Sequence, residues 1–402
     1  MNKFSDIKQS DCAKIAESFR HGSMPISFYK KLCIGRTNEI TYFNKILNKI
    51  NDKNYSYVKF LKGEYGSGKT FLLNIVKEIG IEKDFVVTKI DLNGNEIFSK
   101  IEDVYYLVVN NLESIYGKGL YSILESKLND DNIEIIIENL LKINPLFAMI
   151  LNKYYQNKDN LDIKTTAISY LTGNSKNMNI DYLHNTLGLK GKISNENALL
   201  YLNSLSELFK ALGFGGFIIL VDEIEAIKSA HNRNLRDKAL FNIRTLFDKA
   251  NEKSINSTLW IFSGTNDFFL DSKKGIKSYN ALSDRLYIEE YKSMDNPIIN
   301  LDKLSLEDIT SLSFNIYDIY RNAYRWPLNK DYDEGKKLIS NYIQFKYDAN
   351  KTFNQRMRTR DILKDFIKDL DKCKENSTME YLNSISNKNA ESIKRALNDF
   401  IF

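Results

Sequence analysis

Cysteine, histidine and proline are scarce in this chain of 402 residues, which has 3 Cys, 3 His and 4 Pro. Cys12, Cys33 and Cys373 are widely spaced, form no C-x-x-C pair, and are isolated from the histidines. Structural zinc sites need clustered ligands, and disulfide frameworks need paired cysteines. We therefore expect neither, and we expect a reduced, cytoplasmic protein.

Long apolar runs are absent as well. The longest, such as Phe217 to Val221, are far too short to span a bilayer, and Met1 to Cys12 lacks the apolar core of a secretory signal. The net charge is only +5. A balance this mild does not by itself indicate nucleic acid as a partner. We expect a globular protein, without a membrane anchor, that folds as two or three lobes at this length.

The most informative feature present is a G-x-x-x-x-G-K-T pattern at Gly63 to Thr70. In such a loop, glycines let backbone N–H groups converge on phosphate oxygens, and the following helix adds its positive N-terminus. Lys69 can bridge the β- and γ-phosphates, and the Thr70 hydroxyl can hold Mg²⁺. The alternative is a glycine-rich surface turn. We predict an ATP-binding loop made of Gly63, Glu64, Tyr65, Gly66, Ser67, Gly68, Lys69, Thr70 and Phe71.

The apolar pattern predicts an α/β fold of the P-loop NTPase type, with a parallel sheet built from two separated blocks. A helical insertion at about 99–212 separates the blocks, and a helical lid follows the sheet. We expect an N-terminal helical segment at 1–30, an α/β domain at 31–295 and the lid at 296–402. The expected strands are Tyr57 to Leu61, Phe85 to Leu92, Phe217 to Val221, Thr258 to Phe262 and Leu286 to Ile288.

Two adjacent carboxylates, Asp222 and Glu223, follow the apolar strand Phe217 to Val221. This is the form of a Walker B strand, in which alternation sends the two side chains in different directions. Asp222 can then hold the Mg²⁺ shell, while Glu223 orients or polarises the attacking water. The alternative is an exposed acidic turn at the end of a core strand.

Further polar residues follow the next strand. Thr265, with Asn266 as second choice, could contact the γ-phosphate if that strand lies between the other two.

Arg285 could reach a neighbouring subunit's nucleotide as an arginine finger, or it could form a surface salt bridge with Asp284 or Glu289. In the lid, Arg356, Arg358 or Arg360 could contact phosphates, or the cluster could be a solvated face or a nucleic-acid patch. Lys273, Lys274 and Lys277, beside Tyr279, could contact DNA, although most such runs are solvated.

The order of Walker A, second strand, Walker B, polar strand, arginine and helical lobe resembles the AAA+ class, in its origin-recognition-like and STAND-like branch. Ile34-Gly35-Arg36-Thr37-Asn38-Glu39 resembles the G-R-x-x-E segment of that branch. The resemblance implies that Ile34, Gly35 and Arg36 line an adenine pocket.

Several segments resemble the BrxD-type ATP-binding proteins of BREX-like phage-defence loci, and the resemblance extends from about Ile15 to Leu370. They are Gly63 to Phe71, Leu220 to Glu225, Ser263 to Thr265, Arg20 to Pro25 and Thr359 to Asp361. The resemblance implies that Arg360 acts as the lid sensor. A proline usually precedes that arginine and is missing here, which leaves Arg358 as an alternative.

We therefore expect an ATPase that uses ATP and Mg²⁺, with catalytic roles for Lys69, Asp222, Glu223, Thr265, Arg285 and Arg360. A finger from a neighbour requires a homo-oligomer. The resemblance implies antiphage action beside a helicase or methyltransferase of the same locus. We expect ATP turnover to drive assembly on or remodelling of DNA. The alternative is a slow-turnover nucleotide switch or scaffold that recruits an effector.

Overall fold

The structure is a computed structural model. It describes residues 4, 6–21, 29–92, 97–157, 159–174, 179–189, 191–287, 293–326, 332–352 and 359–385. The chain divides into two compact units. One, here called the sheet unit, contains Asn38–Gly63 and Leu72–Leu301; the other, the helical unit, contains Met1–Thr37, Glu64–Phe71 and Asp302–Phe402.

The strands of the described residues all belong to one sheet. They are β1 (Tyr57–Gly63), β2 (Val86–Asp91), β3 (Leu112–Ser114), β4 (Gly117–Lys118), β5 (Phe217–Asp222), β6 (Thr258–Thr265) and β7 (Ile298–Asn300).

The α-helices of the described residues follow in chain order. They are α1 (Gln9–Arg20), α2 (Tyr29–Leu32), α3 (Thr37–Lys53), α4 (Lys69–Glu82), α5 (Ile101–Asn110), α6 (Gly119–Lys127), α7 (Ile133–Ile143), α8 (Pro145–Gln156), α9 (Leu161–Leu171), α10 (Ile180–Leu187), α11 (Ala198–Ala211), α12 (Arg233–Asn251), α13 (Asn266–Leu270), α14 (Asn280–Leu286), α15 (Leu306–Tyr324), α16 (Tyr332–Thr352) and α17 (Thr359–Glu375). None of these helices is both long and apolar enough to cross a membrane.

The strand order in the sheet is β4-β3-β2-β5-β6-β1-β7. Strands β2, β5, β6, β1 and β7 run parallel, while β3 and β4 form an antiparallel hairpin at the β2 edge. Parallel strands covered on both faces must be apolar throughout, and β5 is buried at every position. The predicted mixed α/β fold with a mostly parallel sheet is confirmed.

Four of the predicted strands are present as β1, β2, β5 and β6. The prediction of a last strand at Leu286 was wrong, because Leu286 is the final residue of α14 and Tyr287 is a left-handed turn residue with φ 49°. Ile288 lies outside the described residues. The strand that borders β1 on its other side is instead the three-residue β7. The segment expected to be helical also contains the β3–β4 hairpin.

Aromatic side chains form the centre of the sheet unit's core. Phe60 on β1 and Phe262 on β6 are register partners, and their rings stack with centroids 5.2 Å apart. The Trp260 ring stacks on Phe262 at 5.9 Å. Such pairs contribute more than their buried area alone, and the Phe60–Phe262 pair helps hold β1 and β6 side by side.

The helical unit has its own core, in which α1, α15, α16 and α17 supply most of the apolar side chains. Arg20 at the end of α1 binds Asp371 on α17 through two nitrogens, Nε and Nη2, each 2.7 Å from a carboxylate oxygen. Planar two-point pairing of this kind is strong and specific. It connects the first and the last helices of the unit.

Lys59 is a buried cation in the middle of β1. Its Nζ donates to the backbone carbonyls of Met294, Asp295 and Asn296 at 3.1, 2.9 and 2.9 Å, and it lies 5.0 Å from the centre of the Tyr42 ring. Burial lowers the pKa of Lys59 from 10.5 to about 8. Lys59 on β1 therefore anchors the backbone segment that immediately precedes β7. The contact requires the charge of Lys59 to be desolvated.

This lowered pKa predicts a pH dependence of stability. Between pH 8 and 10 the unfolded lysine binds more protons than the folded one, so the free energy of unfolding rises with pH in that window. Relative to Lys59→Met, the wild-type protein should gain roughly 2 kcal/mol between pH 8 and 10, measured by chemical denaturation. Lys45→Met, which removes an exposed lysine, is the control. A constant difference between wild type and Lys59→Met across this range would contradict the assignment.

Candidate functional site

The glycine-rich loop joins the end of β1 to the start of α4. Gly63 is the last residue of β1, and Lys69 is the first of α4. Gly66 and Gly68 have φ values of 81° and 93°, in the region that only glycine adopts without strain. The loop therefore has the backbone conformation that lets successive N–H groups face a common point, ahead of a helix N-terminus.

Two side chains of the loop are buried and polar. Lys69 is 8% exposed, and its Nζ donates to the Glu64 carbonyl at 3.1 Å. The Ser67 backbone N–H donates to the same carbonyl, also at 3.1 Å. The Ser67 hydroxyl is buried and has no hydrogen-bond partner among the described residues. A buried ammonium and an unsatisfied hydroxyl in one loop fit an anionic ligand rich in oxygen atoms.

Arg36 supports the loop from within the helical unit. It is 6% exposed, and its Nη2 donates to the Ser67 carbonyl at 2.8 Å and to the Asp302 carbonyl at 2.7 Å. Gly35 has φ 71°, and a Cβ there would come within 2.7 Å of the Asp308 carboxyl group. Sequence reasoning assigned Arg36 to an adenine pocket and did not foresee these backbone contacts.

Two apolar residues next to Arg36 and the loop, Ile34 and Phe71, pack within the helical unit. Ile34 packs against the core of the helical unit. Phe71 on α4 meets the ring of Tyr29 on α2 edge to face, with centroids 5.2 Å apart. Glu64 is half-buried, and Tyr65 and Thr70 are exposed.

Asp222, the last residue of β5, is 2% exposed. Its Oδ1 accepts hydrogen bonds from the hydroxyl of Ser263 and, at 3.1 Å, from the Glu223 backbone N–H. Lys89 on β2 places its Nζ 3.9 Å from the other carboxylate oxygen. Sequence reasoning missed Ser263 as the partner, although a hydroxyl directly after the apolar run Leu259 to Phe262 was the available signal.

Glu223, by contrast, is exposed. Its backbone is left-handed, with φ 57° and ψ 44°, and it precedes the 3₁₀ helix Ile224–Ser229. The Ala226 N–H donates to the Glu223 carbonyl at 2.9 Å. A left-handed backbone is uncommon for a residue other than glycine and is concentrated at functional sites. Adjacent carboxylates thus have opposite environments, one buried and hydrogen-bonded and the other facing solvent.

Thr265 ends β6 and forms the N-cap of α13. Its Oγ1 accepts from the Phe268 N–H at 3.4 Å, and its own N–H donates to the Glu225 carboxylate at 3.3 Å. Asn266 is the first residue of α13. The two residues proposed as sensors therefore lie at the carboxyl end of β6, where their position is set by a short helix.

The register of the sheet brings these strand ends to one edge. Strand β6 lies between β1 and β5, with Gly63 opposite Thr265 and Val221 opposite Phe262. Neighbouring strands are about 4.8 Å apart, and Asp222 is level with Ser263, two residues before the Thr265 that pairs with Gly63. Gly63 and Asp222 therefore lie roughly 12 Å apart across β6. The first residue of the loop and the acidic pair therefore share the edge at which ligands bind in open α/β sheets.

The arginines predicted from the sequence occupy separate positions. Arg285 lies on α14, and its Nε pairs with the Asp248 carboxylate on α12, not with that of Asp284. Glu289 lies outside the described residues. Arg360 is exposed and is the second residue of α17. Arg356, Arg358 and the segment Gly22 to Pro25 lie outside the described residues.

The lysine run after β6 is exposed. The backbone N–H groups of Lys273 and Lys274 donate to the Asp271 carboxylate at 2.8 and 3.0 Å. Lys228 lies 2.7 Å from the same carboxylate, and its hydrogen bond holds the pKa of Asp271 below the usual range. A DNA contact at Lys273, Lys274, Lys277 and Tyr279 stays a prediction.

A mostly parallel sheet, a glycine loop between strand and helix, and carboxylates at the same sheet edge define a protein of the P-loop NTPase-like α/β class. The chain belongs to the family described as BREX system ATP-binding protein BrxC/D, whose model matches residues 7–130 and 124–389. A search of curated proteins finds no match. In the described part of the chain, no group of three or more His, Cys, Asp or Glu side chains is placed to hold a metal ion.

The Asp222–Ser263 contact predicts a measurable coupling energy. Ser263→Ala should lower the free energy of unfolding by roughly 1–3 kcal/mol, because a buried carboxylate loses a donor. In an Asp222→Ala background the same substitution should cost much less, since the acceptor is already gone. Denaturant titration of the four proteins measures both effects, with exposed Ser254→Ala as control. Strictly additive effects would mean that the two side chains do not interact.

Proposed function

We propose that the protein binds and hydrolyses ATP as an AAA+ ATPase of a bacterial antiphage defence system. The observation that carries ATP binding is the loop Gly63 to Thr70, with its left-handed glycines and buried Lys69. The family description, which names an ATP-binding protein, supports the same conclusion. We further propose that Lys69 exchanges its bond to the Glu64 carbonyl for phosphate oxygens when ATP binds.

Hydrolysis is supported by the different environments of Asp222 and Glu223. An exposed carboxylate on a strained backbone suits a group that must orient or polarise water, and we assign this role to Glu223. Thr70 and Asp222 carry the hydroxyl and carboxylate oxygens that Mg²⁺ prefers, and we assign them as its ligands. When bound, Mg²⁺ would neutralise charge that develops on the phosphates.

The AAA+ assignment is supported by β6 lying between β1 and β5. That order puts the polar end of β6, with Thr265, between the loop strand and the Walker B strand. We propose Thr265 as the sensor of the sheet and Arg360 as the sensor of the helical unit. We also propose Arg285 as an arginine finger in a homo-oligomer, for which it must exchange Asp248 for a neighbour's nucleotide.

We propose that turnover drives assembly on or remodelling of DNA, together with a helicase or methyltransferase of the same defence locus. The family description, a BREX system protein, supports the defence role. Measuring ATPase rates with and without single- and double-stranded DNA, across protein concentrations, tests the role of DNA and of oligomerisation together.

The Glu223→Gln variant separates binding from hydrolysis. Because glutamine cannot act as a base, the hydrolysis rate should fall by roughly 100-fold or more, while the dissociation constant for ATP changes little. Phosphate release and equilibrium ATP binding are the two measurements, and Glu252→Gln, at an exposed glutamate, is the control. Undiminished hydrolysis would remove Glu223 from the mechanism. ATP binding without turnover in the wild-type protein would favour a switch or scaffold.

The Lys69→Ala variant tests the loop itself. Loss of a buried ammonium that faces phosphate should weaken ATP binding roughly tenfold or more, because charge-assisted hydrogen bonds are lost in a partly desolvated site. Equilibrium binding of ATP should be compared with that of Lys53→Ala, which removes an exposed lysine at the end of α3. Normal ATP affinity in Lys69→Ala would contradict the phosphate-binding role.

A further inference from the structure

We infer that Arg36 is a positioning residue for the phosphate loop, not a contact to the nucleotide base. It acts by holding the peptide between Ser67 and Gly68 in one orientation and by connecting that peptide to Asp302. The inference rests on the proposed function, since it concerns how the same loop binds phosphate.

The contacts of Arg36 point to the loop backbone. One nitrogen, Nη2, donates to the Ser67 carbonyl at 2.8 Å and to the Asp302 carbonyl at 2.7 Å. The residue is 6% exposed, so water competes little for these bonds. Hydrogen bonds from a charged donor are about twice as strong as neutral ones. The guanidinium is therefore well placed to determine the direction of the Ser67 carbonyl.

Peptide geometry passes this constraint to the ligand side of the loop. In a planar trans peptide, the C=O and the following N–H point in opposite directions. Because the Ser67 carbonyl is directed toward Arg36, the Gly68 N–H is directed away from Arg36. Gly68 adopts φ 93°, and a Cβ added there would meet nothing within 4 Å, so its backbone conformation rather than crowding requires glycine.

The second carbonyl connects the loop to the start of α15. Asp302 precedes Ser305, whose side chain and that of Asp308 form the capping box of α15. Gly35 lies directly against the Asp308 carboxyl group. The segment that carries Arg36 is thus seated on the N-terminus of α15. If phosphate binding reorients the Ser67–Gly68 peptide, the hydrogen bond to the Asp302 carbonyl should change as well, because the same Arg36 nitrogen makes both bonds.

Competition binding distinguishes positioning from base recognition. ATP, GTP and inorganic tripolyphosphate should each be titrated against a fluorescent ATP analogue bound to wild type, Arg36→Lys and Arg36→Met. If Arg36 positions the loop, Arg36→Met weakens all three ligands by a similar factor, roughly tenfold or more, and leaves the ATP-to-GTP ratio unchanged. Arg36→Lys keeps a charged donor and should recover part of the loss.

Two outcomes would overturn the inference. A shift in the ATP-to-GTP ratio with unchanged tripolyphosphate affinity would make Arg36 a base contact. Unchanged affinity for all three ligands would leave it without a role in binding. Failure of wild type to bind either ATP or tripolyphosphate would instead contradict the proposed function, and Lys69→Ala provides the reference for a damaged loop.

Arg20→Met controls for loss of stability. It removes another well-paired guanidinium from the helical unit, at a position that does not contact the loop residues. We expect it to lower the melting temperature while leaving tripolyphosphate affinity as in wild type. If Arg20→Met and Arg36→Met weakened tripolyphosphate equally, the effect of Arg36 would be one of folding, and the positioning role would be rejected.

Discussion

The hydrogen-bond register of β5, β6 and β1 is the constraint on which the proposed chemistry depends. Parallel strands have their carboxyl ends on the same side of the sheet, so the residues that follow each strand lie at one common edge. Here that edge receives Gly63, Thr265 and Asp222. A shift of one residue in β5 would turn Asp222 to the opposite face and away from the Ser263 hydroxyl. Stacked aromatic rings between β1 and β6 help keep the strands in this register.

Among the described residues, three buried cations donate to backbone carbonyls, and the consequences of these contacts differ. Lys69 and Arg36 do so in or beside the glycine-rich loop. Partial charges of carbonyl oxygens offset part of the desolvation cost of these cations, which suits a site for a polyanion. Lys59 uses the same kind of partner on β1, where burial lowers its pKa. The same local interaction thus serves a proposed ligand site and a purely structural anchor.

Sequence reasoning succeeded where one strong local pattern was sufficient. Strand β1 was predicted from its alternation and β-forming residue types, and β2, β5 and β6 from short runs rich in apolar residues, as strands covered by helices require. It failed where the signal was short or ambiguous. β7 has only three residues, and its pairing with β1 is a tertiary event. Leu286 to Ile288 has strand-like residue types, yet Leu286 completes a turn of α14, because apolar runs this short fit either element.

The sequence alone determined the family, the glycine-rich loop and the acidic pair, because each depends on residue types at fixed spacing along the chain. Only the tertiary structure decided which partners these residues have. Ser263 donates to Asp222, and Arg36 donates to the backbone carbonyl of Ser67 in the loop. Such contacts join residues dozens to hundreds of positions apart, and packing and strand order, not local pattern, bring them together.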